Sequence, residues 1–276
     1  MEKSIQVNSS GQGTGEKDYL WENLIGLPYF RALLRAVEAR FYQDIPLESP
    51  VLDLGCGDGH FASIAFDESL DVGVDPWLSP LREAARRELY GIALQADGSK
   101  MPFSDGYFHS IVSNSVLEHI PHIDAVIEEC ARVLAQGGLF VFCVPNHNFT
   151  RNLSIARGLD RIGLKGLAES YRTWFNQISR HHHCDPTEVW EERLSRYGFR
   201  IERHWHYFSP KALGVLEWGH YFGLPSLVSK KLFDRWILAP SRWNLGWLAE
   251  SLRRYYDEPR EQPLGSYSFY IVRKSG

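Results

Sequence analysis

A glycine-rich turn follows an apolar strand pattern at residues 51–60, which read VLDLGCGDGH. Glycine is needed where the backbone turns sharply, or where a ligand must approach closer than a Cβ atom permits. Gly55, Gly57 and Gly59 therefore predict a ligand-binding turn, followed by a helix that starts at about Asp58.

Two classes of ligand use such turns, and the neighbouring residues separate them. A dinucleotide fingerprint, G-x-G-x-x-G, places a pyrophosphate at the helix N-terminus, but the third glycine position counted from Gly55 is His60. Asp53 and Asp58 bring negative charge to the turn, which opposes a pyrophosphate and suits a ligand that carries an ammonium and a sulfonium. The charge argument favours S-adenosylmethionine over NAD.

Polar residues also follow the next three predicted strands. Asp75 lies sixteen residues past Gly59, where a carboxylate accepts hydrogen bonds from both ribose hydroxyls. The third strand leads to Asp97, which two small residues follow, and its carboxylate suits the adenine amino group. The fourth strand leads to the polar residues at 114–115. The expected cofactor contacts are Arg31, Asp53, Gly55, Cys56, Gly57, Asp75, Pro76, Asp97, Gly98, Ser99, Asn114 and Ser115.

The elements that position these residues alternate between short β-like runs and helical stretches. Strands are predicted at 51–55, 71–75, 92–95, 109–114 and 138–144, with helices near 59–66, 79–89 and 122–134. This βαβ rhythm implies an α/β fold with a doubly wound, mostly parallel sheet. Later segments predict partial helix at 149–183, a helix at 186–197, strands at 199–209 and 266–274, and an inserted helical region at 210–256.

The ordered motifs carry a resemblance to a known family. DLGCGDG is followed by VGVDP, ADGSKMPFSDGYFHSIVSNSVLEHI and RVLAQGGLFVFCVPN. This series resembles the type 11 group of class I S-adenosylmethionine-dependent methyltransferases over about residues 50–146. The resemblance implies a Rossmann-like fold of seven strands with the last antiparallel. It also places Asp53 and the glycines at the methionine end, Asp75 at the ribose and Asp97 at the adenine.

The chain divides into a flexible polar tail at 1–16, a helical lid at 17–45 and a methyltransferase domain at 46–276. That domain is expected to carry inserts at about 147–185 and 210–262. The lid is expected to hold Tyr19, Trp21, Tyr29 and Phe30 over the cofactor, or else to pack them in the core. Arg31 is expected to pair with the methionine carboxylate.

Two groups of residues are candidates for accepting a proton from the substrate. Glu118 and His119 follow the fourth strand, so His119 is a candidate base. The sequence resembles quinone-pathway O-methyltransferases at this point. Those enzymes have an additional glutamate that helps to hold a metal, and this chain has Ser115 in its place, so no metal is expected. His182, in the run Arg180–Asp185, is the second candidate. For Glu118 and His119 the alternative is helix capping or buried hydrogen bonding. For the run that contains His182 it is a solvated or capping loop.

The helical region at 210–256 is rich in tryptophan and cationic residues. It holds Trp218, Trp236, Trp243 and Trp247, with seven Lys and Arg residues against three acids. Amphipathic helices of this composition lie at anionic bilayer surfaces, and they equally form a roof over a substrate or a dimer face. The pattern leaves peripheral membrane contact, a substrate pocket and a subunit interface open.

Composition narrows the classes of function. The formal net charge of -4 argues against a duplex nucleic-acid ligand. The four cysteines form no CxxC pair, no apolar leader begins the chain, and no run has the roughly 18 apolar residues of a membrane span, so a cytoplasmic protein is expected. The predicted function is O-methylation of a small, partly apolar acceptor. A non-catalytic S-adenosylmethionine-binding protein and a nicotinamide-dependent oxidoreductase are the alternatives.

Overall fold

The computed structural model describes residues 4–5 and 17–276. Its strands are β1 (Ser4–Ile5), β2 (Leu47–Glu48), β3 (Val51–Leu54), β4 (Leu70–Asp75), β5 (Tyr90–Gln95), β6 (Phe108–Asn114), β7 (Leu134–Pro145), β8 (Phe199–Tyr207) and β9 (Tyr267–Lys274). The predicted flexible tail lies outside the described residues except for β1, which pairs antiparallel with β2.

The helices are named in chain order. They are α1 (Tyr19–Leu24), α2 (Tyr29–Tyr42), α3 (His60–Ala65), α4 (Leu78–Arg86), α5 (Ile123–Val133), α6 (Ser154–Arg161), α7 (Lys165–Ile178), α8 (Thr187–Ser195), α9 (Pro210–Phe222), α10 (Leu224–Phe233) and α11 (Arg242–Tyr256). A short 3-10 turn spans Leu117–His119. Within the described chain, no helix has the length and apolar character that crossing a bilayer requires.

Seven of the described strands form one sheet in the order β5-β4-β3-β6-β7-β9-β8. β3 to β7 run parallel to one another, whereas β9 runs antiparallel to both β7 and β8. The predicted doubly wound sheet with an antiparallel last strand is confirmed. The carboxyl ends of β3, β4, β5 and β6 therefore meet at one edge, where ligands of such sheets bind.

Both faces of the sheet are covered, because successive strand residues point to opposite sides. Along β7, Leu139, Val141 and Cys143 pack in the core formed with α1, α2 and α9. Phe140 and Phe142 alternate with them and pack in the core formed with α5 and α8. The resulting three-layer arrangement leaves the carboxyl edge of the sheet as the open rim.

The helix after the glycine turn starts later than expected. Gly57 and Gly59 have φ values of +56° and +72°, a left-handed backbone that interrupts the helix. α3 consequently begins at His60 rather than at Asp58, and the His60 N–H donates to Asp58 Oδ1 (3.0 Å). Asp58 thus supports the turn from outside the helix.

A buried carboxylate fixes α2 over the rim. Glu38 has 0% of its surface exposed, and it lies on the apolar face of α2. It accepts hydrogen bonds from Arg35 Nη1 (3.0 Å), Asn114 Nδ2 (2.7 Å), Ser115 Oγ (3.1 Å) and Tyr207 Oη (2.8 Å). These donors come from α2 itself, the end of β6 and β8, so one side chain joins three elements.

A second buried carboxylate organises the helical inserts. Glu217 on α9 accepts the N–H groups of Ser154 and Ile155, the first residues of α6, and the hydroxyl of Tyr171 on α7. An anion at a helix N-terminus satisfies otherwise unpaired donors and complements the helix dipole. The two inserts therefore form one helical cap, which consists of α6, α7, α9 and α10.

We expect Glu38→Ala to destabilise the protein by roughly 3–5 kcal/mol, because it leaves the Arg35 guanidinium and three hydrogen-bond donors without their anion. Urea unfolding of the two proteins measures this difference. Glu22→Ala, at an exposed position of α1, is the matched control and should change stability by less than about 0.5 kcal/mol. Equal stabilities of the two variants would contradict the assigned role of Glu38.

Candidate functional site

Three cavities meet at the carboxyl edge of the sheet. We name them the glycine-turn cavity (about 390 Å³), the Asp75 cavity (about 380 Å³) and the histidine cavity (about 160 Å³). Ser115 lines all three. It has a φ of +51°, which an ordinary residue adopts rarely, and its hydroxyl donates to Glu38. The buried carboxylate therefore lies directly behind the junction.

The glycine-turn cavity is lined by side chains of both charges. Acidic groups come from Asp53, Asp58 and Glu83, and cationic groups from Arg31, Arg35 and Lys230. Among the described residues Arg31 forms no ion pair, and its guanidinium lies over the Trp236 ring at 5.8 Å. A zwitterionic amino-acid group is the ligand whose two charges this lining complements.

The glycines of the turn are required for different reasons. A Cβ atom on Gly55 would approach the Val116 side chain to 2.4 Å, so the turn must pass close to the loop after β6. Gly57 has no described heavy atom within 4 Å of an added Cβ, and its positive φ favours glycine. Gly57 therefore leaves open space beside the turn for a ligand.

Asp53 is the most perturbed acid of the glycine-turn cavity. Burial raises its pKa to about 6, although the hydrogen bond from Tyr90 Oη (2.6 Å) opposes this shift. Asp75 adds a like charge that also raises the pKa, and Arg35 lowers it. A cationic ligand beside Asp53 would favour the ionised carboxylate.

The Asp75 cavity combines an apolar lining with two acids. Leu54, Val74, Ala96, Ile120, Pro121 and Val126 supply the apolar surface. Asp75 Oδ2 accepts from Gly57 N (3.0 Å), and Oδ1 accepts from Trp77 N (2.8 Å), so both oxygens are held in place. Hydrogen bonds from the Ser99 N–H and hydroxyl lower the pKa of Asp97. A flat apolar group with polar edges fits this lining.

The histidine cavity has both an apolar and a titratable lining. Its apolar residues are Phe30, Leu34, Phe149, Leu216 and Tyr267, and its titratable ones include Arg31, Arg35, Glu118, His119, His181 and His220. His119 also lines the Asp75 cavity, so its imidazole lies where the two cavities adjoin.

His119 is oriented by a backbone carbonyl. Its Nδ1 lies 3.0 Å from the Arg180 oxygen, and because a carbonyl only accepts, Nδ1 carries the hydrogen and Nε2 keeps a free lone pair. Partial desolvation lowers the pKa of His119, whose side chain is 44% exposed. The neighbouring His181, whose ring centroid lies 5.5 Å away, has a pKa lowered to about 3 by burial. Both imidazoles are therefore neutral near pH 7.

Glu118 is the third titratable residue of the cluster that contains His119 and His181. Its Oε1 lies 3.8 Å from His119 Nε2, and its buried Oε2 has no hydrogen-bond partner among the described residues. Burial raises the pKa of Glu118 to about 8. Ligand atoms of Glu118, His119 and His181 all lie within 4.8 Å of one another, so the chain brings together three groups of the type that hold a metal ion.

The structure brings most of the predicted site residues together. The glycine-turn cavity is lined by Arg31, Asp53, Gly55, Cys56, Gly57, Asn114 and Ser115, and the Asp75 cavity by Asp75, Pro76, Asp97 and Gly98. Ser99 instead supports Asp97 by two hydrogen bonds. The Asn114 amide bonds Glu38 and Cys143, so its polar atoms face away from the cavity.

The two histidine candidates are placed differently. Both are exposed, but His119 lines two of the cavities, whereas His182 lines none of the three. The backbone N–H of His182 donates to the backbone carbonyl oxygen of Glu118 (2.7 Å), and the preceding residue, His181, lines the histidine cavity. The sequence analysis did not identify Glu38, whose only signal was an acid on an apolar helix face. It also did not identify Tyr90, the hydrogen-bond donor to Asp53.

The chain is similar to known methyltransferases. A family model described as a methyltransferase domain matches residues 52–142. An uncharacterized methyltransferase of Mycolicibacterium gilvum is 30% identical over 195 residues, 70% of this chain and 69% of that protein. A ubiquinone biosynthesis O-methyltransferase of Pectobacterium carotovorum is 32% identical over 107 residues, 36% of this chain and 44% of that protein. The second match therefore spans less than half of that relative.

A solved structure shows the same fold. It is an S-adenosylmethionine-dependent methyltransferase from Thermotoga maritima, described as a possible histamine N-methyltransferase, with a TM-score of 0.52 at 14% identity. The match covers 93% of each chain.

We expect Glu118→Gln to stabilise the protein increasingly as the pH rises. Because its pKa is raised from 4.5 to about 8, the folded chain retains a proton that the unfolded chain releases. The stability due to that proton is complete below about pH 4.5 and is lost as the pH rises through about 8. Thermal unfolding should show the Tm of Glu118→Gln, relative to the natural protein, rising by at least about 2 °C between pH 5 and pH 9.

The control for this experiment is Glu128→Gln, at an exposed position on α5. Its Tm difference should not change with pH. A Glu118→Gln difference that is equally constant would show that this carboxyl titrates normally.

Proposed function

Because the chain belongs to the S-adenosylmethionine-dependent class I methyltransferases, we propose that it methylates an oxygen atom of a small, partly apolar acceptor held in the histidine cavity. The observation that carries this proposal is the position of His119. His119, whose Nε2 keeps a free lone pair, lines a cavity with apolar walls that shares Ser115 with both of the other cavities.

The two larger cavities fit the cofactor. The glycine-turn cavity offers carboxylates for an ammonium and guanidinium groups for a carboxylate, as the methionine end of the cofactor requires. The Asp75 cavity offers an apolar surface for adenine, and Asp75 is held where a carboxylate accepts ribose hydroxyls. These residues would hold the cofactor on both sides of Ser115.

The bound cofactor supplies a methyl group on a positively charged sulfur, which is transferred by in-line displacement. The S–C bond breaks while an O–C bond forms, and the acceptor hydroxyl loses its proton. The protein contributes alignment, worth up to roughly 7–11 kcal/mol for well-oriented partners. Phe30, Leu34 and Phe149 provide the apolar walls that hold the acceptor in the histidine cavity.

His119 accepts the proton of the acceptor hydroxyl at Nε2. The Arg180 carbonyl holds the ring in the required tautomer, and Glu118, 3.8 Å away, stabilises the imidazolium when its own proton is lost. His181 stays neutral because burial keeps its pKa near 3, so two like charges do not face each other. The similarity to a ubiquinone biosynthesis O-methyltransferase supports oxygen as the methylated atom.

We expect the affinity for S-adenosylhomocysteine to fall as the pH is lowered through about 6. Protonation of Asp53 removes the negative charge that complements the ammonium of S-adenosylhomocysteine. The apparent Kd should therefore rise about tenfold for each pH unit below the Asp53 pKa of about 6. Isothermal titration between pH 5 and pH 7.5 measures this profile. Asp53→Asn should bind weakly with a flat profile, whereas Asp67→Asn, an exposed acid on the surface, should retain the slope. A flat profile for the natural protein would refute the role of Asp53.

We expect His119→Ala to lower kcat about 100-fold, because a positioned base contributes this much to proton transfer. Cofactor with a carbon-13 methyl group and a panel of phenols, alcohols and amines identifies the product, since NMR separates methoxy from N-methyl carbons. Added imidazole should restore part of kcat, which a purely structural role would not permit.

The exposed His122→Ala is the control and should leave kcat unchanged. If His182→Ala lost activity while His119→Ala retained it, the proton acceptor would be the histidine of the surface loop. Methylation of amines alone would show that oxygen is not the acceptor atom.

A further inference from the structure

The helical inserts expose an unusual amount of apolar surface. Twenty large apolar side chains are exposed among the described ones, and fourteen of them lie on the inserts. We name these fourteen the apolar cap surface: Ile162, Leu164, Leu167, Trp174, Ile178, Trp218, Phe222, Leu227, Val228, Leu232, Phe233, Leu238, Trp243 and Trp247. Trp243 and Trp247, one turn apart on α11, are 91% and 71% exposed. Concentrated apolar exposure of this kind marks an interaction site.

The cap surface is continuous across the helices α7, α9 and α10. Trp174 on α7 stacks on Tyr221 of α9, with ring centroids 6.3 Å apart. Trp218 stacks on Phe222 at 5.9 Å along α9, and α10 begins two residues after Phe222. The buried Glu217 holds α6 and α7 against α9. The exposed side chains of α7 and α9 therefore belong to one packed group of helices.

Cations without anionic partners accompany these apolar residues. Residues 151–180 contain six cationic and two acidic residues, and residues 210–256 contain seven and three, although the whole chain has a net charge of -4. Within the part of the chain that the structure describes, Arg157, Arg161, Lys165, Lys231 and Arg235 form no ion pair, and each is exposed. Lys231 precedes Leu232, and Arg161 precedes Ile162, so exposed cations and exposed apolar residues are neighbours along the chain.

We propose that the apolar cap surface binds the surface of an anionic phospholipid bilayer. Tryptophan, phenylalanine and leucine insert among the acyl chains at such a boundary, while lysine and arginine remain at the headgroups. Each cation near an anionic bilayer adds about tenfold or less to the binding constant. The acidic remainder of the chain is repelled by the same surface, so the protein binds in one orientation.

A second copy of the chain is a poorer partner for this surface. A symmetric dimer places the same patch on both sides of the interface, so the unpaired cations of one copy would face those of the other. An anionic bilayer supplies the opposite charge over the whole patch. Charge complementarity therefore favours the bilayer.

The cap surface lies on the outer side of the helix that closes the histidine cavity. Leu216 and His220 of α9 line that cavity, whereas Trp218 and Phe222 of the same helix are exposed. An acceptor dissolved in the bilayer would thus lie one helix away from His119. This last step, but not bilayer binding itself, rests on the proposed function.

Vesicle co-sedimentation of the full chain tests the proposal without methyl transfer. We expect binding to vesicles of phosphatidylglycerol and phosphatidylcholine at low salt, with a blue shift of tryptophan fluorescence. Binding should weaken in 0.5 M salt and be absent with phosphatidylcholine alone. The variants Phe222→Ser/Leu232→Ser and Lys231→Glu/Arg235→Glu should each lower the bound fraction about tenfold or more.

The matched controls change the same types of residue elsewhere. Leu264→Ser removes an exposed apolar side chain, and Arg82→Glu reverses an exposed cation, outside the inserts. Both should bind vesicles normally. Titration with S-adenosylhomocysteine verifies that each variant is folded, so loss of vesicle binding and failure of the cofactor site are distinguishable.

Two results would overturn the proposal. One is that the natural protein does not bind anionic vesicles, or that Phe222→Ser/Leu232→Ser and Lys231→Glu/Arg235→Glu bind them as strongly as the natural protein does. The other is a dimer in light scattering that Phe222→Ser/Leu232→Ser dissociates, because the apolar cap surface would then be an interface between copies.

Discussion

A single buried carboxylate determines where the site is assembled. Glu38 accepts hydrogen bonds from Arg35, Asn114, Ser115 and Tyr207, and none of its surface is exposed. Because an unpaired buried charge is expensive, these partners are tightly coupled. α2 is thereby fixed to the end of β6, where Ser115 adjoins all three cavities. The positions of Arg31 and Phe30 follow from this one contact.

Burial is used in two ways around that junction. At Asp53 it raises the pKa of an acid to about 6, so a cationic ligand is the partner that compensates its charge. At His119 and His181 desolvation lowers the pKa of both imidazoles, so both are neutral near pH 7 and the lone pair of His119 is available for a proton. The same desolvation thus prepares one side of the site for a cation and the other for proton transfer.

The helical inserts have two faces with different chemistry. Their inner side closes the histidine cavity through Leu216 and His220, and their outer side exposes tryptophan, leucine and unpaired cations. Glu217 makes this division possible, because it satisfies the first N–H groups of α6 from within the cap. A helix held from its buried end leaves its outer face free for another partner.

The sequence by itself determined the seven strands of the large sheet along the chain and the four strand ends that carry Gly57, Asp75, Asp97 and Ser115. Those features depend on local periodicity and on glycine backbone geometry, which neighbouring residues specify. Tertiary structure alone decided that His181 rather than His182 lines the histidine cavity. The placement of this loop depends on contacts with a distant segment, such as the bond from the His182 N–H to the backbone carbonyl oxygen of Glu118. It also decided the role of Glu38, because its partners lie up to 169 residues away, beyond the reach of any local pattern.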